Sequence, residues 1–446
     1  MKSFRYEWRW RAEATPEQLW GLLADTNRTN RDAGLPVVSE TATVAHAPQN
    51  SSPPPLPAGT RRLGFTSLGV HVAWDEQPYE WIYPQRFSVL RTYLSGPWDQ
   101  IIVRGELVPL DSGRTEFIYS LDVLPRGRLG ALISAYQLGR ISARAFDRTF
   151  RNFIALAQQD APEVASGAVL PSIDSARLTQ LEAQLATATD RKLAAWLAGY
   201  IGTSDDSLLT HMRPYTFSRH TNITRSEALA LFFHATSVGL LDLQWDLLCP
   251  RCRGAKQTQL ALADVTATVH CDACRIDFTA DLPAQIELTF RPNAAVRRVE
   301  LHEYCIGSPQ RTPHIVMQQI VSAGESRDIP ISLAPGSYRL RTFAAEGEGG
   351  IPGEVAVDAA SDGDTRTTFS ATNQRWDATA ARIHTNATLT LSNNTGMRQV
   401  LLLERTQWRD DALTAAEATA SPLFRDMFAS ELLRPGESIS VGTLTV

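Results

Sequence analysis

Cys249-Pro-Arg-Cys252, an eighteen-residue spacer and Cys271-Asp-Ala-Cys274 constrain this chain more than any other feature. Two residues between thiolates let one tight turn aim both sulfurs at a single ion, and two such turns at this separation are the two-knuckle zinc spacing. The spacer holds candidate strands at 257–262 and 266–269, which would set the second turn opposite the first. Four thiolates complete a tetrahedron and leave no position for substrate or water, so the expected metal is structural zinc. His270 adjoins the second knuckle and reads as a bystander. Cys305, in LHEYCIG, stands alone and reads as a small buried hydrophobe. Arg251, Arg253, Lys256 and Arg275 are balanced by Asp246, Asp264, Asp272 and Asp277, which favours a staple over a nucleic-acid contact.

Thiolate ligands need a reducing compartment. The N-terminus, MKSFRYEWRW, has charges interrupting every apolar run, and no stretch reaches the roughly 18–20 apolar residues of a membrane span. A cytoplasmic protein without a membrane partner is therefore expected. With 43% hydrophobic and 20% charged residues, the 446-residue chain can bury cores in two to four domains. A net charge of -5 argues against bulk capture of nucleic acid or anionic membrane, while leaving room for a small local basic patch.

The pattern divides the chain into a multidomain α+β protein. Residues 4–12 alternate Phe4, Tyr6, Trp8 and Trp10 with charged positions, as a half-buried strand does. Thr15-Pro16-Glu17 opens a short helix, and the proline-rich 41–60 reads as a mobile loop. Strands follow near 61–75, 86–94, 100–109 and 114–123. A long helix spans 126–158, with Leu132, Tyr136, Ile141, Phe146, Phe150 and Phe153 on its apolar side. A linker at 160–172 precedes a winged-helix-like helical bundle over 173–247. Within it, helices carry Leu178, Leu181 and Leu185, then Leu193, Trp196 and Leu197, then 205–212. Thr224-Arg-Ser-Glu227 is a capping box opening the next helix, which ends at Gly239. The zinc ribbon occupies 248–282. From 284 to 376, IELTF, RRVELHEY, HIVMQQIVSAG, RDIPISLAPGSYRLRTF and GEVAVDA read as an immunoglobulin-like β-sandwich. A polar stretch covers 358–375. Residues 377–446 add a strand pair and a helical segment at 411–433.

Strand, short helix, antiparallel strands and long helix over residues 1–159 is the helix-grip order. With PEQLW and WDEQPYEWIYPQRFSVLRTY, the segment resembles the START/polyketide-cyclase-like superfamily, also called SRPBCC. The resemblance implies a curved sheet wrapped on the long helix around a pocket for a small apolar ligand. Trp74, Trp81, Tyr83, Tyr93 and Trp98 are its candidate lining. Among titratable groups nearby, His71, Asp75, Glu76 and Asp99 would have to point inward for any chemistry on that ligand.

Residues 175–446 resemble a second group: the region leading into the catalytic domain of bacterial class III adenylate/guanylate cyclases. The residues that carry this include Trp245, Asp246, Cys249, Cys252, Glu404, Arg405, Trp408, Asp411, Ala412, Thr414, Phe424, Arg425, Asp426, Phe428, Arg434, Pro435 and Gly436. The family continues into a strand bearing its first metal-binding aspartate, whereas this sequence stops at Leu444-Thr445-Val446. No cyclase residue is carried over and no catalytic residue is assigned. The resemblance implies a regulatory region acting on a cyclase domain in cis, with a homodimer as one route of control. Two alternatives stand beside it. One is a stand-alone START-like protein binding or modifying a lipid or small molecule. The other is a nucleic-acid adaptor built from the bundle and ribbon, which the sparse basic charge of the 225–237 helix disfavours. No phosphate-binding Gly-rich loop, G-x-S-x-G elbow or H-E-x-x-H motif is present.

Overall fold

The computed structural model describes residues 3–40, 59–67, 69–165, 172–250, 254–262, 265, 268–271, 276–279, 285–300, 302–344, 350–406 and 412–428. The chain is mixed α+β and divides into two units: Met1–Pro162 with His302–Gln407, and Glu163–Leu301 with Trp408–Val446. The proline-rich loop expected at 41–60 lies almost wholly outside the described residues.

The first unit begins with β1 (Phe4–Ala12), α1 (Pro16–Leu23), α2 (Thr26–Asp32) and the two-residue β2 (Ser39–Glu40). Strands β3 (Arg61–Ser67), β4 (Val70–Glu76), β5 (Glu80–Ile82), β6 (Arg86–Tyr93), β7 (Trp98–Pro109) and β8 (Thr115–Pro125) follow. Then come α3 (Gly127–Tyr136), a π-helical stretch over Gln137–Ser142, and α4 (Ala143–Gln158). The capping box at Thr15 is formed, with Gln18 as its reciprocal partner, a device worth about 1 kcal/mol. Antiparallel pairing runs β1-β8-β7-β6. In β1 the charged residues point to solvent, while Trp8 and Trp10 meet α4. There Phe150 lies 5.0 Å from both Trp10 and Phe117, and Phe146 5.3 Å from Tyr119. Gly105 sits opposite Phe87 across the β6–β7 pair, where a Cβ would come within 2.3 Å of that ring; glycine there lets the phenyl lie flat on the sheet.

The long C-terminal helix departs from its expected face. Phe146, Phe150 and Phe153 are buried, but Leu132, Tyr136 and Ile141 are exposed. The buried side of α3 is instead Gly130 and Ser134. A Cβ on Gly130 would meet the Pro97 carbonyl oxygen at 2.2 Å, and Ser134 Oγ accepts from Trp98 Nε1 at 3.0 Å. This close approach demands small residues, and the π-helical stretch resets the phase before α4.

The second unit holds α5 (Ser175–Ala188), α6 (Arg191–Thr203), α7 (Asp206–Leu209), α8 (Pro214–Thr221) and α9 (Arg225–Ser237). The Thr224–Glu227 capping box opens α9, and Gly239, at φ 81°, follows its end. The helix expected at 205–212 is the short α7, and α8 starts after Arg213, with Pro214 in its first turn. Strands β9 (Leu241–Leu248), β10 (Ala255–Gln259), β11 (Thr268–Cys271), β12 (Ile276–Thr279) and β13 (Ile286–Pro292) form a three-stranded sheet, β10-β9-β13, and a β11-β12 hairpin. The bundle followed by a strand is present. Its core joins Phe232, Phe233, Trp245, Phe290 and Phe424, all nearly inaccessible.

Three expectations change here. IELTF, read as the first strand of the sandwich, is β13 and pairs with β9. RRVELHEY is irregular over its described residues, because the fully buried Arg297 side chain is used as an anchor: it donates to the carbonyls of Ile201 and Ser204 and to Asp206 at 2.5–2.8 Å. The helical segment at 411–433 is two short helices, α10 (Ala415–Ala420) and α11 (Pro422–Met427), split at Ser421-Pro422. Residues 429–433 lie outside the described residues.

The first unit resumes with β14 (Ile315–Val321), β15 (Ser326–Ser332), β16 (Gly336–Thr342), β17 (Val355–Ala360), β18 (Asp364–Ala371), β19 (Ala380–Asn393) and β20 (Gln399–Arg405). These strands enclose a core of Met317, Ile329, Leu340, Val355, Phe369, Ile383, Leu389 and Leu403. The long β19 pairs in parallel with β17 and β18 and antiparallel with β15. That is a departure from the all-antiparallel immunoglobulin-like layout. The 358–375 stretch, read only as polar, carries β18 and part of β17. Pairing of β5 with β14 joins these strands to the helix-grip strands in one fifteen-stranded sheet.

Candidate functional site

The period-2 alternation of β4 and β6 builds the candidate site. Trp74 and Glu76 on β4, and Phe87, Val89 and Tyr93 on β6, are buried on the same side as Arg91. Phe65, Trp74, Tyr93 and Trp98 form an aromatic row with successive ring centroids 6.0, 5.8 and 5.3 Å apart. Of the five expected lining residues, Trp74, Tyr93 and Trp98 are therefore brought together. Trp81 is committed elsewhere, its Nε1 donating to the Ile315 carbonyl at 2.9 Å. Tyr83 packs edge-on against Trp20 at 5.7 Å.

Beside the row lies a buried polar centre. Arg91 Nε donates to Glu76 Oε2 at 2.7 Å, and Arg91 Nη2 to the Tyr79 hydroxyl at 3.3 Å. The Glu76 side chain is 4% exposed and that of Arg91 15%. The guanidinium lies 5.8 Å from the Trp74 ring centroid. Tyr79 OH is 3.1 Å from Cys305 Sγ, to which the Thr26 hydroxyl donates at 3.0 Å. Cys305 arrives on a segment tied across α2: Asn27 Oδ1 accepts from the backbone N–H groups of Tyr304 and Cys305, and Asn30 donates to the Tyr304 carbonyl.

Burial dominates the titration of this centre. It pushes Tyr93 up to about 12, with Arg91 working against it. It also holds the Tyr79 and Tyr119 hydroxyls protonated well above the ordinary range, Arg91 again opposing. The Cys305 thiol is raised by burial and by the Glu76 carboxylate. The centre thus offers neutral hydroxyls, a neutral thiol and one internally matched ion pair. It offers directional hydrogen bonding against an aromatic wall.

Of the four titratable candidates read from sequence, only Glu76 points inward. Asp75 alternates outward and pairs with Arg62 at 2.8 Å, Asp99 pairs with Arg126 at 2.8 Å, and His71 is exposed. Arg91, Tyr79, Thr26 and Cys305 were missed as site residues. Arg91 had a readable signal, a charge on the apolar phase of RFSVLRTY. A separate hollow of about 370 Å³ lies against Arg9, Trp10, Arg11, Arg151, Ile154, Ala155 and Gln158, none of which belongs to the polar centre.

In the second unit, Cys249 and Cys271 are wholly buried in one apolar core with Trp245 and Phe278. The Cys249 N–H donates to the Gly254 carbonyl at 3.1 Å. Cys271 pairs with Ile276 across the β11–β12 hairpin. Cys252 and Cys274 lie outside the described residues, as does Asp411. Among the described residues, no three His, Cys, Asp or Glu side chains converge as a metal site. Asp246 is 1% exposed and accepts from the hydroxyls of Thr258 and Thr289 at 2.7 and 2.6 Å, with His211 Nδ1 at 2.7 Å. No described helix is long and apolar enough to cross a membrane.

Residues 175–319 match the model of a family of unknown function, DUF5939. No curated protein matches. Among solved structures, the chain is similar to the Zhui aromatase/cyclase from Streptomyces sp. R1128, at 14% identity and a TM-score of 0.25, covering 35% of this chain and 95% of that one. It is also similar to a START superfamily protein from Mycobacterium smegmatis, at 14% identity and a TM-score of 0.22, covering 33% and 97%. A protein from Thermus thermophilus gives 16% identity, a TM-score of 0.24, and coverage of 34% and 99%.

Proposed function

We propose that the helix-grip part of the first unit is a binding module for a small, mainly apolar molecule with one polar end. The observation that carries this reading is the Arg91–Glu76 pair buried beside the Phe65–Trp74–Tyr93–Trp98 row. Aromatic faces hold an apolar body, and a few fixed polar groups orient its polar end. Binding rather than turnover follows from the protonation of the centre, since Glu76 is occupied by Arg91 and the tyrosines and Cys305 keep their protons. A thermal-shift screen of the purified chain against fatty acids, polyketide-like aromatics and sterols tests it. Stabilisation by at least one class, reduced in Arg91→Met, is expected; no shift across the panel refutes it.

The wider reading is a regulatory region whose ligand state is passed to a nucleotide cyclase domain in cis. It is supported by the residues of 175–446 that resemble the segments preceding such domains, among them Trp245, Asp246 and Phe424, which pack in or line the core of the second unit. Structural zinc on Cys249, Cys252, Cys271 and Cys274 belongs to the same proposal. The burial of Cys249 and Cys271 in one core suits thiolate ligation. Zinc there would staple β9 and the β11–β12 hairpin and supply no chemistry.

A further inference from the structure

Helix α3 carries its large apolar residues on the outside. Leu129, Leu132, Ile133 and Tyr136 stand at i, i+3, i+4 and i+7, one stripe of an α-helix. Their exposures are 70, 71, 37 and 62%, and Ile141, in the π-helical stretch, adds 46%. The opposite face, Gly130 and Ser134, is the one packed on the sheet. Leu94, 48% exposed, adjoins the start of this helix because Arg126 donates to the carbonyls of Tyr93 and Leu94. An apolar stripe turned outward while small residues turn inward is a surface kept for a partner.

Along the chain, the charge flanking the stripe is of one sign. Between Asp122 and Asp147 the chain has four arginines, Arg126, Arg128, Arg140 and Arg144, and no acidic residue. Arg126 pairs with Asp99. Arg128, Arg140 and Arg144 are exposed and have no ion pair among the described residues. The chain's net charge of -5 does not cancel this patch, because charges beyond about 8–10 Å are screened at physiological salt. A second copy of the same face would set arginine against arginine. A surface that is anionic outside and apolar beneath complements both features at once.

We propose that α3 and the π-helical stretch dock peripherally on an anionic lipid bilayer. Leu129, Leu132 and Tyr136 enter the headgroup–acyl boundary, and Arg128, Arg140 and Arg144 meet lipid phosphates. The inference stands on exposure and charge and does not depend on the ligand reading. Trp98 nevertheless links the two places, since it belongs to the aromatic row and donates to Ser134 on the inner face of α3.

Co-sedimentation of the full chain with vesicles of phosphatidylcholine, alone or mixed with phosphatidylglycerol, tests the proposal. The wild-type chain should pellet with the anionic vesicles, less so at high salt, and remain in solution with the neutral ones. Two triple variants, Leu129→Ser/Leu132→Ser/Tyr136→Ser and Arg128→Ser/Arg140→Ser/Arg144→Ser, should each weaken binding more than ten-fold without changing thermal unfolding. Failure to bind either vesicle overturns the proposal, as does binding that survives the apolar triple variant. A concentration-dependent dimer dissolved by the apolar variant, without vesicle binding, would assign the face to a second copy instead.

Discussion

Replacing Arg91 with Met should destabilise the first unit through the charge it leaves behind. Glu76 has a 4% exposed side chain, and its strong partner among the described residues is Arg91 Nε at 2.7 Å; Trp74 Nε1 reaches it at 3.4 Å. Methionine keeps the stem's packing and removes the cation, so the carboxylate is either charged and unpaired or forced to take a proton. Breaking a buried pair from one side costs about 3–5 kcal/mol. The 15% exposure of Arg91 admits some solvent relief, which places the expected loss near 3 kcal/mol, roughly 6–12 °C in Tm for a domain of this size. Adding Glu76→Gln to Arg91→Met removes the stranded charge and should return about 2 kcal/mol of that loss. Urea unfolding followed by tryptophan fluorescence reads the change, since Trp74 borders the pair. An Arg91→Met chain as stable as wild type, or a double variant no better than the single one, refutes a buried and mutually compensating pair.

Glu404→Gln should lower stability at neutral pH by about 2–3 kcal/mol, since Arg339 and Arg341 both donate to this nearly inaccessible carboxylate. Burial works to raise the Glu404 pKa, but Arg341 and Arg339 outweigh it and hold it below the ordinary value. Its stabilisation is therefore complete above the unfolded-state value of about 4.3 and fades as pH falls through the folded value. Acid titration of stability should be shallower in the variant, and equal slopes would contradict this. Gly130→Ala should cost about 1–3 kcal/mol by driving a Cβ to 2.2 Å from the Pro97 carbonyl oxygen, which is backbone and cannot swing away; an unchanged Tm would show that α3 does not approach the sheet so closely. Cys271→Ser should abolish zinc binding and lower the melting temperature of the second unit. Metal analysis that finds no zinc in the wild-type chain removes the staple.

Local features were legible in the sequence. The Thr15 helix start, the Thr224 capping box and the alternation of β1 depend on neighbours a few residues away, and each is seen where its residues stand, whereas β14, read as alternating, is buried along nearly its whole length. What escaped was set by distant partners. The stripe of Leu132, Tyr136 and Ile141 reads as a core face until Pro97 and Trp98 are seen to demand Gly130 and Ser134 beneath the helix. IELTF alternates as a sandwich strand would, but its pairing with β9 is a choice periodicity does not encode. Residues 358–375 hid β18 because only Phe369 and Ala371 of that strand are buried. At the site, Glu76 was named with no means of orienting it. Cys305 joined it only because Asn27 and Asn30 on α2 grip a segment more than 270 positions away.

The central claim is that the aromatic row and the Arg91–Glu76 pair hold a small apolar molecule by its polar end. Native mass spectrometry of the purified chain, compared with Arg91→Met/Glu76→Gln, tests it most directly. A co-purified or added apolar ligand should ride on the wild-type chain at one per molecule and be lost, or bound at least ten-fold more weakly, by the double variant. A wild-type chain that carries no ligand from the cell extract or from an apolar panel, or equal retention by both chains, would contradict it.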